Sequence, residues 1–148
     1  MSIAVRSAQT TWAGSLAAGV GTLSNSSSGV LDDQKVTWAA RTEGPGGKTS
    51  PEELAAAAHS SCYSMALSLK LGENQTPAQQ LTVTASVTLD EVDGAPTVTT
   101  SALRVRAQVP GLDEAGFAKV VDDASALCPI SRLFAGATIT VDAALETA

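Results

Sequence analysis

Residues 50–62 read SPEELAAAAHSSC, and the fold turns on how this stretch is read. Ser50 is a good N-cap, and Pro51 fits the first helical position, where its missing N–H costs nothing. Glu53 stands three residues after Ser50, the spacing of a capping box. Four alanines follow, then His59 and Cys62, and the apolar residues continue through Met65, Ala66, Leu69 and Leu71 to Gly72. The pattern predicts one long, buried helix that carries a thiol and ends at Gly72.

Working outward from this helix, the flanks read differently. The first 43 residues read as short strands and turns. Trp12 precedes Gly14, GVGTLSNSSSGVL is rich in turn formers, and KVTWAARTE predicts a third strand with Val36 and Trp38 on one face. GPGGKTS then delivers the chain to Pro51. After the helix, Leu81, Val83, Ala85, Val87 and Leu89 alternate with polar residues, the period of a half-buried strand. VDGAPT turns it into a second strand with Leu103, Val105, Ala107 and Val109 on one face. Asp113 caps a helix from Glu114 to about Leu127. Pro129 pushes Cys128 away from helical geometry and can open a short helix, PISRLF. ATITVDAAL closes as a strand, with Ile139, Val141, Ala143 and Leu145 facing one way. Three strands, helix, two strands, helix and strand is not an alternating βα pattern, so an α+β fold with antiparallel sheets is expected, as one domain over 1–148. The first sheet has few large apolar residues and is expected to need a covering surface, a partner subunit being one candidate. Trp12 and Trp38 are expected to anchor that sheet or a dimer core, and Met65 and Leu69 are spaced as helix core.

Composition narrows the function classes. With 148 residues and 44% hydrophobic residues a real core is feasible, and with 3% aromatics it rests on Val, Leu and Ala. The net charge of −6 and nine scattered Lys and Arg argue against nucleic acid or an anionic membrane as main partner. There is no apolar run of membrane-spanning length and no signal-peptide pattern at the N-terminus, so a soluble cytoplasmic protein is expected. There a permanent disulfide is disfavoured, and two cysteines are too few for a disulfide scaffold. Cys62 and Cys128 are far apart and form no CxxC motif. They are either inert core residues or partners in redox chemistry.

Ionisation alone does not make a thiol a fast peroxidase. About 3% of an ordinary thiol is ionised at pH 7, and lowering its pKa to ~6 raises that fraction roughly thirtyfold. The accompanying loss of nucleophilicity removes about tenfold or more of the gain. A cation that holds the thiolate, orients the peroxide and stabilises the departing oxygen supplies the rest. Arginine suits this role, and the candidates are Arg6, Arg41, Arg104, Arg106 and Arg132. Arg41 stands out because it falls at a predicted strand end just before the Cys62 helix.

TSPEELAAAAHSSCYSMALSL closely resembles the core signature of the OsmC/Ohr family of thiol-dependent peroxidases. VPGLDEAGFAKVVDDASALCPIS is similar to the segment with that family's second cysteine, and WAGSLAAGVGTLS and ARTEGPGGKTSPEEL extend the likeness over nearly the whole chain. The details look more like the OsmC branch. The resemblance implies a peroxidatic Cys62, oxidised to a sulfenic acid, and a resolving Cys128 that condenses with it to a disulfide. It implies that Arg41 positions thiolate and peroxide, and that Glu52 orients Arg41, with Glu43 and Glu53 as alternative partners. It further implies an intertwined α+β homodimer with two interface active sites, acting on organic hydroperoxides and hydrogen peroxide in stress defence. No metal or prosthetic group is expected, and an external dithiol reopens the disulfide.

Other readings stand beside this one. Ten residues separate Glu52 from Cys62, about 15 Å along a continuous helix, so the two do not touch directly. Cys128, ahead of Pro129, stands at a helix N-terminus whose dipole favours a thiolate, so local physics also allows it to be the attacking thiol. His59, three residues before Cys62, allows a Cys–His hydrolase. A metal site from His59, Cys62 and Cys128 lacks the usual ligand spacing. The same fold with unreactive thiols would be a small-molecule-binding or interaction protein. Tyr63 is expected to line a pocket or simply pack.

Overall fold

The computed structural model describes residues 1–147. The chain forms two compact units, Met1–Leu54 and Ala55–Ala148.

In the first unit, β1 (Gln9–Ala13) pairs antiparallel with β2 (Val20–Ser24), which pairs antiparallel with β3 (Lys35–Val36). Gly21 lies where a Cβ would meet Val36 and the Trp12 ring, so its lack of a side chain lets β1, β2 and β3 pack. The third strand is shorter than KVTWAARTE predicts. Thr37 leaves the sheet at φ −139° and caps a short helix, α1 (Trp38–Thr42), by accepting from the Ala40 N–H at 3.0 Å. Trp38 and Arg41 are therefore helical residues, and Arg41 is not at a strand end. The β-rich composition of Val36–Trp38 gave way to the Thr37 cap. Every β1 residue is exposed, and Trp12 keeps 41% of its surface in solvent, so it anchors no core within this unit. The unit ends in the first turn of α2 (Pro51–Glu73), where the Ser50 Oγ accepts from the Glu53 N–H at 3.1 Å. The reciprocal arm of the capping box is not made. The Glu53 carboxylate accepts from the Thr49 hydroxyl instead.

In the second unit α2 runs past Gly72, because an exposed glycine near a helix end costs only about 1 kcal/mol and is tolerated. Gln75 takes the left-handed turn at φ 59°, and Thr76 N–H closes onto Leu71 O at 2.9 Å. β4 (Gln80–Val92) and β5 (Ala95–Gln108) form a long antiparallel hairpin. Its two-residue turn, Asp93–Gly94, has positive φ at both positions, which matches the twist of the flanking strands. Asp113 caps α3 (Glu114–Leu127) through the Gly116 N–H at 2.8 Å, and α4 (Pro129–Leu133) follows at once. β6 (Thr138–Leu145) then joins β5 in parallel, from Thr100↔Thr138 to Ala107↔Leu145. The α+β class stands, but this sheet is mixed. Parallel pairing needs a long crossover, and α3 and α4 between β5 and β6 supply it.

The core of this unit packs Tyr63, Ala66, Leu67 and Leu71 of α2 against Leu103, Val105 and Ala107 of β5 and Phe117, Val120, Val121 and Ala124 of α3. Met65 and Leu69 lie outside this stripe. Met65 is 73% exposed, so both belong to an apolar face of α2 that faces away from the core. Among the described residues no helix is long and apolar enough to cross a membrane.

Candidate functional site

Cys62 lies midway along α2, and Cys128 is the single residue between α3 and α4. Pro129 forces this break. Cys128 sits at φ −58°, ψ 115°, outside the helical region, and serves as the last cap of α3 and the first of α4. Its sulfur is thereby turned toward α2. The two Sγ atoms, 66 positions apart in sequence, lie 3.5 Å apart, and both cysteines are free. They are not equivalent. Cys128 is 0% exposed, whereas Cys62 keeps part of its surface in solvent.

The two thiols are shifted in opposite directions. Burial pushes the Cys128 thiol up, but the Ser131 hydroxyl, the Ser131 N–H, Cys62 and the Ile130 N–H together bring it below the ordinary value. Burial pushes Cys62 up, the Ile130 N–H opposes this, and the neighbouring sulfur adds to the rise. The two thiols titrate as a pair rather than as independent groups.

His59, one turn before Cys62, is 0% exposed. Its Nδ1 lies 2.6 Å from the Ser101 Oγ and its Nε2 2.8 Å from the Ser131 Oγ, with the Phe134 ring edge-on at 5.2 Å. Burial pushes the imidazole pKa down. Both ring nitrogens are occupied by serines, so His59 is not paired with Cys62 as a hydrolase dyad would require. Among the described residues no group of three His, Cys, Asp or Glu could hold a metal ion. Tyr63 lies in the core, its hydroxyl donating to Val121 O at 3.2 Å and meeting Ser125 Oγ at 3.0 Å, so it packs and lines no open pocket.

In the first unit, Arg41 donates Nε and Nη2 to the same oxygen of Glu52, Oε1, at 2.9 and 2.7 Å. The other oxygen, Oε2, is buried and unpartnered. The guanidinium lies 5.7 Å from the Trp38 ring centroid, with which it makes a cation–π contact. Trp12, Leu16, Val36, Thr37, Trp38, Arg41 and Pro51 line a cavity of about 100 Å³ here. Glu52, rather than Glu43 or Glu53, therefore holds Arg41. Sequence reasoning missed Ser101 and Ser131.

The fold thus brings together two free thiols, one on α2 and one at the break between α3 and α4, the first accessible and the second enclosed. Comparisons with known proteins give the particular family. Residues 44–143 match the family described as OsmC-like protein. Peroxiredoxin OsmC of Escherichia coli (strain K12) is 42% identical over 139 residues, covering 94% of this chain and 95% of that protein. The organic hydroperoxide resistance protein OhrB of Bacillus subtilis superimposes with a TM-score of 0.69 at 27% identity, covering 95% of this chain and 98% of the other. A Legionella pneumophila protein described as organic hydroperoxide resistance protein OsmC shares the fold, with a TM-score of 0.73 at 20% identity over 99% of this chain and 100% of the other. The chain belongs to the OsmC family.

Proposed function

We propose that this protein is a thiol-dependent peroxidase that reduces organic hydroperoxides, and hydrogen peroxide, through Cys62 and Cys128. The observation that carries this reading is the 3.5 Å approach of two sulfurs so distant in sequence. Inert core cysteines have no need to meet, whereas a disulfide forms with little movement from this separation. The names of the relatives, peroxiredoxin and hydroperoxide resistance protein, point to the same chemistry.

Cys62 is the proposed attacking residue because a peroxide can reach it and cannot reach the enclosed Cys128. Its sulfur attacks the terminal peroxide oxygen, the O–O bond breaks, and the thiol proton ends on the leaving alkoxide. The products are a sulfenic acid on Cys62 and an alcohol. The Cys128 thiolate then attacks the Cys62 sulfur. The S–S bond forms, the S–O bond breaks, and hydroxide leaves to take a proton from solvent. An external dithiol returns both cysteines to thiols by exchange. Arg41 is the proposed cation for thiolate and peroxide, and Glu52 the group that aims it by occupying Nε and Nη2 while leaving Nη1 free. The chain is proposed to act as one domain over 1–148 in a cytoplasmic homodimer. The apolar face of α2 with Met65 and Leu69 supports a covering partner.

The test is consumption of hydrogen peroxide and of an alkyl hydroperoxide, each with a dithiol or a monothiol. Turnover with the dithiol, abolished by Cys62→Ser, is expected. Cys128→Ser should leave a sulfenic acid on Cys62 that a dimedone-type reagent traps. Sulfenic acid on Cys128 and none on Cys62 reverses the assignment. No consumption of either peroxide removes the reading.

A further inference from the structure

The proposed cycle closes when an external thiol reopens the disulfide, and the two sulfurs of that disulfide are unequal targets. Both belong to Ala55–Ala148. Cys128, at the break between α3 and α4, is wholly enclosed and forms part of the buried core with Tyr63, Val121 and Ala124. Cys62, on α2, is half-buried and packs against that core. The free sulfurs already lie 3.5 Å apart, so bond formation needs too little movement to carry Cys128 to the surface. Exchange begins with attack on one sulfur and departure of the other, and its rate depends on access to the sulfur attacked.

We propose that the disulfide opens at Cys62 alone, with Cys128 as the leaving thiol, and that Cys128 then turns away reductants carrying a single thiol. An incoming thiolate bonds to the Cys62 sulfur, the protein S–S bond breaks, and its electron pair leaves on the Cys128 sulfur. The product is a mixed disulfide on Cys62 with a Cys128 thiolate held beside it. That thiolate is placed to attack the Cys62 sulfur again, which re-forms the protein disulfide and expels the reductant. Well-oriented intramolecular reactions reach effective molarities of about 10⁵ M and above, so a second monothiol from solution is outcompeted. A dithiol escapes this return. Its second thiolate attacks its own sulfur in the mixed disulfide, a cyclic disulfide departs, and the electron pair goes to Cys62. The cysteines regain the two protons that the dithiol released, and one dithiol is oxidised for each protein disulfide reduced. Cys128 thus acts twice, first on the Cys62 sulfenic acid and then as the filter on the reductant.

This role rests on the peroxidase reading for its place in a cycle, but exchange is measured without peroxide. The reduced parent, Cys128→Ser and Cys62→Ser proteins are treated with hydroxyethyl disulfide, and adducts are located by mass spectrometry of peptides. Cys128→Ser should hold a stable adduct on Cys62. Cys62→Ser should acquire one on Cys128 at least about tenfold more slowly, as expected of a buried, inert thiol. The parent should end as the protein disulfide with no adduct, because Cys128 displaces it. The Cys62 adduct of Cys128→Ser should be cleared by 2-mercaptoethanol and by dithiothreitol at rates within about tenfold of each other. The parent disulfide should be opened at least about 10²-fold faster by dithiothreitol than by 2-mercaptoethanol at equal thiol, the difference being the return attack. Equal adduct rates in the two single-cysteine proteins, a stable Cys62 adduct in the parent, or a monothiol as fast as the dithiol on the parent disulfide overturns the proposal. Where a serine variant does not fold, acid quenching of the parent during reduction traps the mixed disulfide; it should lie on Cys62, and finding it on Cys128 overturns the proposal equally. Such adducts on Cys128 leave the peroxidase reading standing, whereas absence of peroxide consumption by the parent strikes that reading and leaves the exchange results standing.

Discussion

The two units of this chain are built on opposite terms. Ala55–Ala148 carries a buried cluster drawn from α2, β5 and α3, with Leu67, Leu71, Val105 and Phe117 almost wholly enclosed. In Met1–Leu54 one large apolar residue, Leu23, is buried, while Trp12, Leu16, Val30 and Leu31 face solvent. The second unit is organised by hydrophobic burial, the first by backbone pairing, turn chemistry and polar ties such as Ser26 to Asp32. The proposed chemistry divides along the same line. The thiols are in the unit with a core, where packing fixes a 3.5 Å geometry. The guanidinium is in the unit without one, held by a carboxylate. Sulfur–sulfur contact needs rigidity, whereas an arginine held by an ion pair keeps its position with little packing around it.

The largest expected stability effect tests this contrast directly. Phe117→Ala should cost about 3–5 kcal/mol, by loss of transfer energy and the cavity left behind. Trp12→Ala, at an exposed strand position, should cost about 1 kcal/mol or less. Urea midpoints at constant slope read both. Equal costs would mean that the face of β1 is covered in solution, and the contrast would fail.

Next in size is the arginine. Arg41→Ala is expected to lower kcat/KM by about 10²–10³-fold, the usual loss when one preorganised donor to developing negative charge is removed. Arg41→Lys should recover little, because an ammonium cannot engage Glu52 through one edge and present the other. Glu52→Gln should lose less than Arg41→Ala, since the charge remains and only its aim is weakened. Peroxide kinetics with excess dithiol measure all three. A full-rate Arg41→Ala would leave the two-thiol unit as the whole catalytic apparatus.

The same contrast explains what was legible in the sequence. In the second unit most local signals agreed with the structure that followed: Leu81–Leu89 alternates, Asp93–Gly94 turns, Asp113 caps, and Pro129 bends Cys128 off the helix, although Gly72 did not stop α2 and Met65 and Leu69 fell outside its buried stripe. What did not show was the direction of β6, because period-two patterning is the same for parallel and antiparallel neighbours. In the first unit local signals compete with no core to arbitrate. Val36, Thr37 and Trp38 favour a strand by type, yet Thr37 is also a cap, and the cap won. The two cysteines could be suspected from the sequence, but their approach depends on how α3 crosses α2. Ser101 carried no signal at all, since a serine inside a strand is unremarkable until a histidine from another element meets it.

The smallest effect belongs to His59 and separates the units by pH. Burial depresses its pKa in the folded state, while in the unfolded chain it titrates near 6.5. Below that value the unfolded chain binds a proton that the folded chain refuses, so stability must fall as pH falls. The slope is at most about 1.4 kcal/mol per pH unit, and the loss ends once the folded pKa is passed. Carboxylates with depressed values, Asp32 through its bonds from Ser26 and Asp142 through Arg106, lose their stabilisation in the same direction but at lower pH, nearer 4. Since the chain has a single histidine, a fall in Tm between pH 6.5 and 5 is expected to come from His59 alone and to vanish in His59→Gln. If the units melt separately, the transition of Ala55–Ala148 should move and that of Met1–Leu54 should not. A slope that persists in His59→Gln would mean that some other group takes up the proton, and a flat profile in the parent would mean that the imidazole is hydrated and its pairing with the two serines is not kept in solution.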